Sequence, residues 1–420
     1  MNKNLVNKIL ITIGFLFIYR LLAYVPVPGV DTAVISSFFS SHQADALGLF
    51  NMFSGNAVER MSIIALGIMP YITASIIMEL LAATFPAMGA MKKERDGMVK
   101  YMQIIRYATI AITVVQAIGI SIGLQHLTGP NGNSAILIDL NTFILVASVS
   151  MLAGTMLLMW IGEQITQSGI GNGISLIIFA GIVSAIPSAI GQAFSMVNTG
   201  AMSFFVLLAI IALIVVTIGV IIYVELGERR VPVTYAKKVI MQNQNKRVMN
   251  YIPIKVNLSG VIPVIFASAI LMFPMTVLSS STSPILLGIA DYLNPNSHFF
   301  NFLTFVFVVF FAFFYASITF NSKDIADNLK KQGGFIPGIR TGSATADYLN
   351  ATASNLTITG ALYLGLVATL PFMLIKSMGV PFFFGGTAVL IVVQVALDTM
   401  RKIEAQIYMS KYETLSAVGL

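Results

Sequence analysis

Long apolar windows separated by short polar stretches recur from one end of the chain to the other. They fall at 5–25, 61–84, 104–124, 138–161, 174–191, 203–225, 258–279, 299–320, 355–375 and 380–400. Each is close to the ~20 residues a helix needs to cross a hydrocarbon core about 30 Å thick. The windows are continuous apolar runs, not alternating segments of about ten residues, so the pattern predicts spanning helices rather than a barrel. The expected fold is all-α and polytopic, with ten transmembrane helices. Composition agrees: of 420 residues, 57% are hydrophobic and 10% charged, against about 25% charged in an average soluble domain. Lys3 and Lys8 ahead of the first window imitate a signal peptide. No small-x-small cleavage site precedes "YVPVPGVD", so the first window is expected to stay as a span.

Charge adds orientation. Of the 24 lysines and arginines, 21 lie at the termini or in the connections after windows 2, 6 and 8, counting Lys8 and Arg106 in the first turns of windows 1 and 3; Arg20, Arg60 and Lys376 do not. The positive-inside rule then puts both termini and the even-numbered connections in the cytoplasm. Two of these connections carry pattern as well as charge. Segment 229–257 has two alternating arms, "RRVPVTYAKK" and "YIPIKVN", around "MQNQNK". It predicts a hairpin, an isolated edge-like ribbon because prolines sit in both arms. Segment 323–354 holds "KKQGGFIPGIRTGSATADYL", whose Gly-Gly and Pro-Gly set turns with Arg340 at an exposed apex. Either these charges serve orientation alone, or the two protrusions form a docking surface for a large cytosolic partner.

Candidate chemistry is sparse. The chain has no cysteine, and His42, His126 and His298 lie far apart between windows, so no metal cluster is expected. No Gly-x-x-x-x-Gly-Lys-[Ser/Thr] loop occurs, so any work must come from a partner. Glu79, Glu163, Glu225, Asp398 and Arg20 sit at or near span ends, where they are expected to reach headgroups or water. An intramembrane enzyme would need a nucleophile and base, or metal ligands, within its spans. A secondary transporter with inverted repeats would need polar ligands facing one another at the midplane. Neither set is present.

The spans instead carry small and helix-breaking residues: "GIMPYI", "GIGNGIS", "GVIPVIF" and "PFFFGGTAVLIVV". Such residues are tolerated where neighbours or water satisfy the freed backbone groups, so several irregular helices are expected around a shared cavity. Ile68 and Ile72, and Ile174 and Ile178, are four apart on one helix face each, with Ile265 and Ile391 as single candidates. Periodicity alone does not separate pore-facing from lipid-facing isoleucines. The span count suggests two inverted halves, 1–190 and 203–420, joined by an external hinge loop at 191–202. One stretch fits neither span nor solvated loop. "LFNMFSGNAVER" (49–60) is too short to cross a bilayer and unusually apolar for a loop.

The motifs "VPVPGVD", "LGLFNMFSGNAVERMSIIALGIMPYITASIIMELL", "MWIGEQITQSGIGNGISLIIFAGIV", "VNLSGVIPVIFASAI", "FNSKDIADNLKKQGGFIPGIRTG" and "VPFFFGGTAVLIVVQVALDTM" closely resemble the SecY/Sec61 alpha family, in collinear order over nearly the whole chain. That family forms the channel subunit of Sec protein translocases. The resemblance implies two pseudo-symmetric inverted halves around a central pore, which passes unfolded secretory polypeptides across the bacterial cytoplasmic membrane. It implies no enzyme activity and no cofactor. It implies a plug at about 47–58, comprising Leu49, Phe50, Met52, Phe53, Ser54 and Gly55, where Ser54-Gly55-Asn56 supplies a break that lets the piece swing out. A permanently membrane-bound interfacial turn is the other reading of that segment.

The resemblance further implies a pore ring of Ile68, Ile72, Ile174, Ile178, Ile265 and Ile391, and a lateral gate between spans 2–3 and 7–8. Signal peptides, and the transmembrane segments of membrane proteins, would leave through that gate into the lipid bilayer. The implied partners are the small subunits SecE and SecG, the SecA ATPase and the ribosome. The latter two would dock on Arg229, Arg230, Lys237, Lys238, Lys330, Lys331 and Arg340. Thr341 follows Arg340 where many members of the family have Pro, which bears on the turn of that loop.

Overall fold

The computed structural model describes residues 3–41, 51, 54–125, 127, 134–235, 250–279, 288, 293, 297–377 and 386–417. Its helices are α1 (Lys3–Leu22), α2 (Thr32–Ser41), α3 (Met69–Thr84), α4 (Pro86–Lys93), α5 (Arg95–Gln125), α6 (Leu140–Ser168), α7 (Gly173–Asn198), α8 (Phe204–Glu225), α9 (Ile262–Ser279), α10 (His298–Thr319), α11 (Ser322–Lys331), α12 (Ser343–Ser377) and α13 (Gly386–Ala417). Every apolar window overlaps one of them. Among the described residues, seven helices are long and apolar enough to cross a membrane, and the bent pair α3/α4 makes an eighth. The apolar stretch of α9 is described over Ile262–Leu271, and α13 passes from its apolar half into Asp398, Arg401 and Lys402.

Local chemistry sets the helix starts. Asp139, Asn172, Ser297 and Asn321 each accept a backbone N–H of the first turn that follows, satisfying donors that would otherwise be orphaned. Pro70 and Pro86 stand in the first turns of α3 and α4, where the missing N–H costs nothing. Phe85, preceding Pro86, is held extended (φ −105°, ψ 113°) because the proline ring disfavours helix at that position. The chain turns by 115° there.

Two expected boundaries move. The second span begins at Met69, not at 61, and 54–68 runs as successive turns. Met61 (φ +46°) and Gly67 (φ +57°) adopt left-handed backbone that no helix accommodates. The expected loop at 191–202 is largely helix, since α7 continues to Asn198. Ala193, Met196 and Val197 pack with Met202, Leu207 and Ile210 of the α8 side, so apolar residues between the polar ones keep α7 winding. Thr199 and Gly200, the latter at φ +76°, then end it.

Strands β1 (Glu228–Tyr235), β2 (Asn250–Lys255) and β3 (Gly334–Phe335) form one sheet in the order β2-β1-β3. β1 and β2 are antiparallel, from Glu228 opposite Lys255 to Val233 opposite Asn250, as the alternation predicts. The ribbon is not isolated, however. β3 pairs with Thr234 and Tyr235 of β1, so the two protrusions are one body. Pro232 faces Tyr251 on a part of β1 where β3 is absent, which is how a proline fits there. Beneath the sheet, Val231, Val233, Ile254, Leu329, Ile336 and Leu349 form a small separate core.

One large apolar cluster occupies the middle of the molecule, drawing residues from α1, α3, α5, α6, α7, α9, α10, α12 and α13. Within it, α9 lies against both α3 and α5, and α7 against α13. These contacts join the first half of the chain to the second along two seams.

Candidate functional site

Of the six isoleucines singled out in the sequence, Ile68, Ile72, Ile178 and Ile391 are buried members of this central cluster, and Ile174 and Ile265 pack half-buried against it. Four different elements supply them. Ile68 caps α3 in a non-helical conformation (φ −96°, ψ 2°), and Ile72 follows one turn later with its N–H on the Ile68 carbonyl. Ile174 and Ile178 open α7, whose start is fixed by the Asn172 side chain accepting from the Ile174 and Ser175 N–H groups. The turn before it needs Gly171 at φ +98°. A methyl on Gly173 would overlap the Gly162 carbonyl, so this glycine lets α6 and α7 approach closely. Ile265 comes from α9 and Ile391 from α13. The result is an apolar concentration of branched side chains between the two halves of the chain.

Segment 54–68 lies beside it, and nearly all of that segment is buried. Its polar backbone is accounted for by Val27 N–H to Met61 O, Ile63 N–H to Val25 O, Ser62 N–H to Ala57 O and Gly67 N–H to Ile64 O. Irregular backbone at membrane depth survives only where protein covers it in this way. Gly55, at φ +72°, is wedged so closely that a Cβ on it would stand 2.8 Å from Tyr19 Oη, 3.1 Å from Gly181 Cα and 3.4 Å from Ser184 Oγ. Gly181 is three residues beyond Ile178 on α7, about 4.5 Å along the helix. The Ser54–Gly55 break therefore packs against α7 about one turn from Ile178. Leu49, Phe50, Met52 and Phe53 lie outside the described residues.

The arginine expected to reach headgroups does something else. Arg20 Nη1 donates to the Gly55 carbonyl at 2.6 Å, and its neighbour Tyr19 donates its hydroxyl to Ser54 O at 3.2 Å. The Arg20 and Arg60 guanidiniums lie 5.2 Å and 4.1 Å from the Tyr24 ring centroid. Sequence reasoning passed over Tyr19, Tyr24 and Arg60. The available signal was that Arg20 and Arg60 stand outside the basic connections and that Arg20 and Tyr24 are one helical turn apart.

At the sheet, Arg229 and Arg230 are exposed on β1 and Lys330 and Lys331 at the end of α11. Arg340 is exposed between Gly338 (φ +81°) and Gly342 (φ +103°). Its carbonyl accepts from Thr345 Oγ1 at 2.7 Å, which anchors the loop to the start of α12 with Thr341 in the turn. The Glu228 carboxylate hydrogen-bonds Arg230 Nε at 2.7 Å and raises its pKa above the ordinary guanidinium value. Lys237 and Lys238 lie outside the described residues. β3 joins the two connections into one sheet, so the exposed Arg229, Arg230, Lys330, Lys331 and Arg340 belong to one body. At its root, Asn257 donates to Glu225 Oε1 at 2.6 Å and Arg401 to the Glu225 carbonyl at 3.0 Å, tying sheet, α8 and α13 together.

A groove of about 460 Å³ runs between α7, α8 and α13, lined only by apolar side chains, including Ile190, Phe194, Ile211 and Val393.

Comparison with known proteins is consistent over the full length. The SecY family model matches residues 62–400. The protein translocase subunit SecY of Helicobacter pylori strain J99 is 66% identical over 420 residues, covering 100% of both chains. Among solved structures, one concerns how the plug domain of the SecY protein stabilises the closed state of the translocation channel and maintains a membrane seal. It superposes with a TM-score of 0.71 at 19% identity, over 96% of this chain and 93% of that one. Sec61 in the canine ribosome-channel complex from the endoplasmic reticulum superposes with 0.66 at 18% identity, again over 96% and 93%.

Proposed function

The chain belongs to the SecY family, and from that premise we propose that it is the protein-conducting channel of a Sec translocase, closed by its isoleucine ring and plug. It passes unfolded polypeptides across the membrane and releases transmembrane segments into lipid. The observation that supports the reading is the burial of most of an irregular segment, 54–68, whose Gly55 packs against α7 about one helical turn from Ile178, in the same central cluster that holds Ile68, Ile72 and Ile391. Branched apolar side chains around a narrow waist expel water, and a dewetted waist blocks ions without a charged gate. The same side chains make no directional bonds, so they yield to a passing chain of any sequence.

The seam where α9 meets α3 and α5 is the lateral gate of this reading. A signal peptide's about 10–15 apolar residues partition into lipid through it and so favour the open state. The basic sheet surface faces the cytoplasm, as the positive-inside rule requires, with both termini on that side. It docks the SecA motor or the ribosome. A ribosome-bound channel among the structural relatives supports the latter. The groove between α7, α8 and α13 takes walls from both halves, which suits one apolar helix of a SecE-type subunit bracing them. SecG follows from the family alone.

The chain has no cysteine, so single thiols can be placed at will. Ile178→Cys should form a disulfide with a cysteine in a translocation-arrested secretory chain, whereas Ser188→Cys, exposed on the same helix, should not. Equal crosslinking at both positions would take the polypeptide path away from the ring.

A further inference from the structure

Tyr19, Arg20 and Tyr24 fall within the last turn and a half of α1 and just past it, yet all three engage the loop that begins 30 residues later. Tyr19 and Arg20 take the consecutive carbonyls of Ser54 and Gly55. Tyr24 offers its ring to Arg60, and its hydroxyl to Arg20 Nη2 at 3.4 Å. The loop is thus held at two points. Near Asn51 it is braced on itself, with Asn56 N–H on Asn51 O and Asn51 bonded to the Glu59 side chain and backbone. A braced loop moves as a unit, so holding Gly55 and Arg60 holds the whole.

We propose that Arg20, with Tyr19 and Tyr24, is a clasp on α1 that positions the plug segment in the closed channel. The proposal rests on reading 47–58 as the plug. An arginine is suited to the task because a charged donor makes the strongest available bond to a carbonyl in a partly desolvated site. The ring of Tyr24 stabilises two neighbouring guanidiniums that would otherwise repel. The clasp is also reversible. It consists of two hydrogen bonds and ring contacts with no apolar side chain of the break locked in, because Gly55 presses directly on Gly181 and tolerates no side chain. Signal-peptide binding elsewhere can therefore offset its loss.

The test is resting ion conductance of the full chain with its small subunits in planar bilayers, for Arg20→Gln, Tyr24→Leu, Tyr24→Phe and a chain lacking 47–55. Arg20→Gln should raise the resting conductance roughly tenfold, the scale of losing a hydrogen bond from a charged donor. Tyr24→Leu should also leak, and Tyr24→Phe should stay near wild type because it keeps the ring. In the chain lacking 47–55, adding Arg20→Gln should change nothing. If the deletion leaks but Arg20→Gln stays tight, or if Arg20→Gln adds leak to the deletion, the clasp is wrong and the plug stands. If the deletion does not leak, the plug reading itself falls.

Thiol labelling separates a released plug from general loosening. Ser54→Cys, buried in the wild type, should label about tenfold faster with Arg20→Gln, while Ala147→Cys in the core of α6 should not change. Acceleration at both sites would overturn the proposal.

Discussion

At the residue scale, the packing around segment 54–68 depends on glycines whose missing side chains are filled by other backbone. Gly154 of α6 is the clearest. A methyl there would overlap the carbonyl oxygen of Ile63 and stand 3.2 Å from Ile64, and Ile63 is held in place by its N–H bond to Val25 O at 2.9 Å. Since the obstacle is backbone, it cannot rotate away. Gly154→Ala should lower stability by about 1–3 kcal/mol, the range for overpacking a tight core, and displace 61–68. Thermal unfolding of the purified complex measures it, and an unchanged midpoint would mean that α6 shifts freely. Arg230 illustrates the opposite case, a surface group. Its hydrogen bond to the Glu228 carboxylate raises the folded-state pKa above the ordinary value. On the arginine side, the pair's contribution is therefore complete from neutral pH upward and is lost only as pH rises through that value. Docking through this face should be flat between about pH 7 and 9, measured as partner affinity across that range.

At the scale of elements, the three-stranded sheet converts two connections into one surface. Its small core rests on Ile336 and Leu329 from one connection and on Val231, Val233 and Ile254 from the other. Ile336→Asp would bury a carboxylate with no partner in that core, a cost of several kcal/mol. It should detach β3 from β1 and weaken docking of the proposed partner, SecA or the ribosome, by about tenfold or more, while helix packing in the membrane stays intact. Limited proteolysis, together with the binding measurement, checks this. Unchanged affinity with the 323–354 segment clipped would show that the hairpin docks alone. The hairpin was legible from its alternating arms, and Arg340 from its Pro-Gly turn. The pairing of Tyr235 with Gly334 was not, because a two-residue strand has no period to detect.

For the whole molecule, the proposed channel requires a waist that stays dry when empty and parts when a chain enters. Ile178 and Ile391 come from opposite halves and meet in the central cluster. Replacing both with Asn, Ile178→Asn with Ile391→Asn, should hydrate the waist and raise ion leak by about tenfold or more, with polypeptide passage retained. Conductance and secretion assays on the same preparation separate the two effects. A dry double variant would place the seal elsewhere, on the plug segment or its clasp.

The chain alone determined the ten apolar windows, the gathering of its basic residues in three connections and at the termini, and the isoleucines at helical spacing, because hydropathy, charge count and period are local properties. Tertiary structure alone decided that 61–68 is turns and not helix. An apolar run satisfies either description, and only the contacts of Ile63 with Val25 and Gly154 make the irregular one affordable. It also decided what Arg20 does. Near a span end an arginine is expected to seek water, but the Gly55 carbonyl, 35 residues away in sequence, is brought within 2.6 Å by a fold that no local pattern encodes.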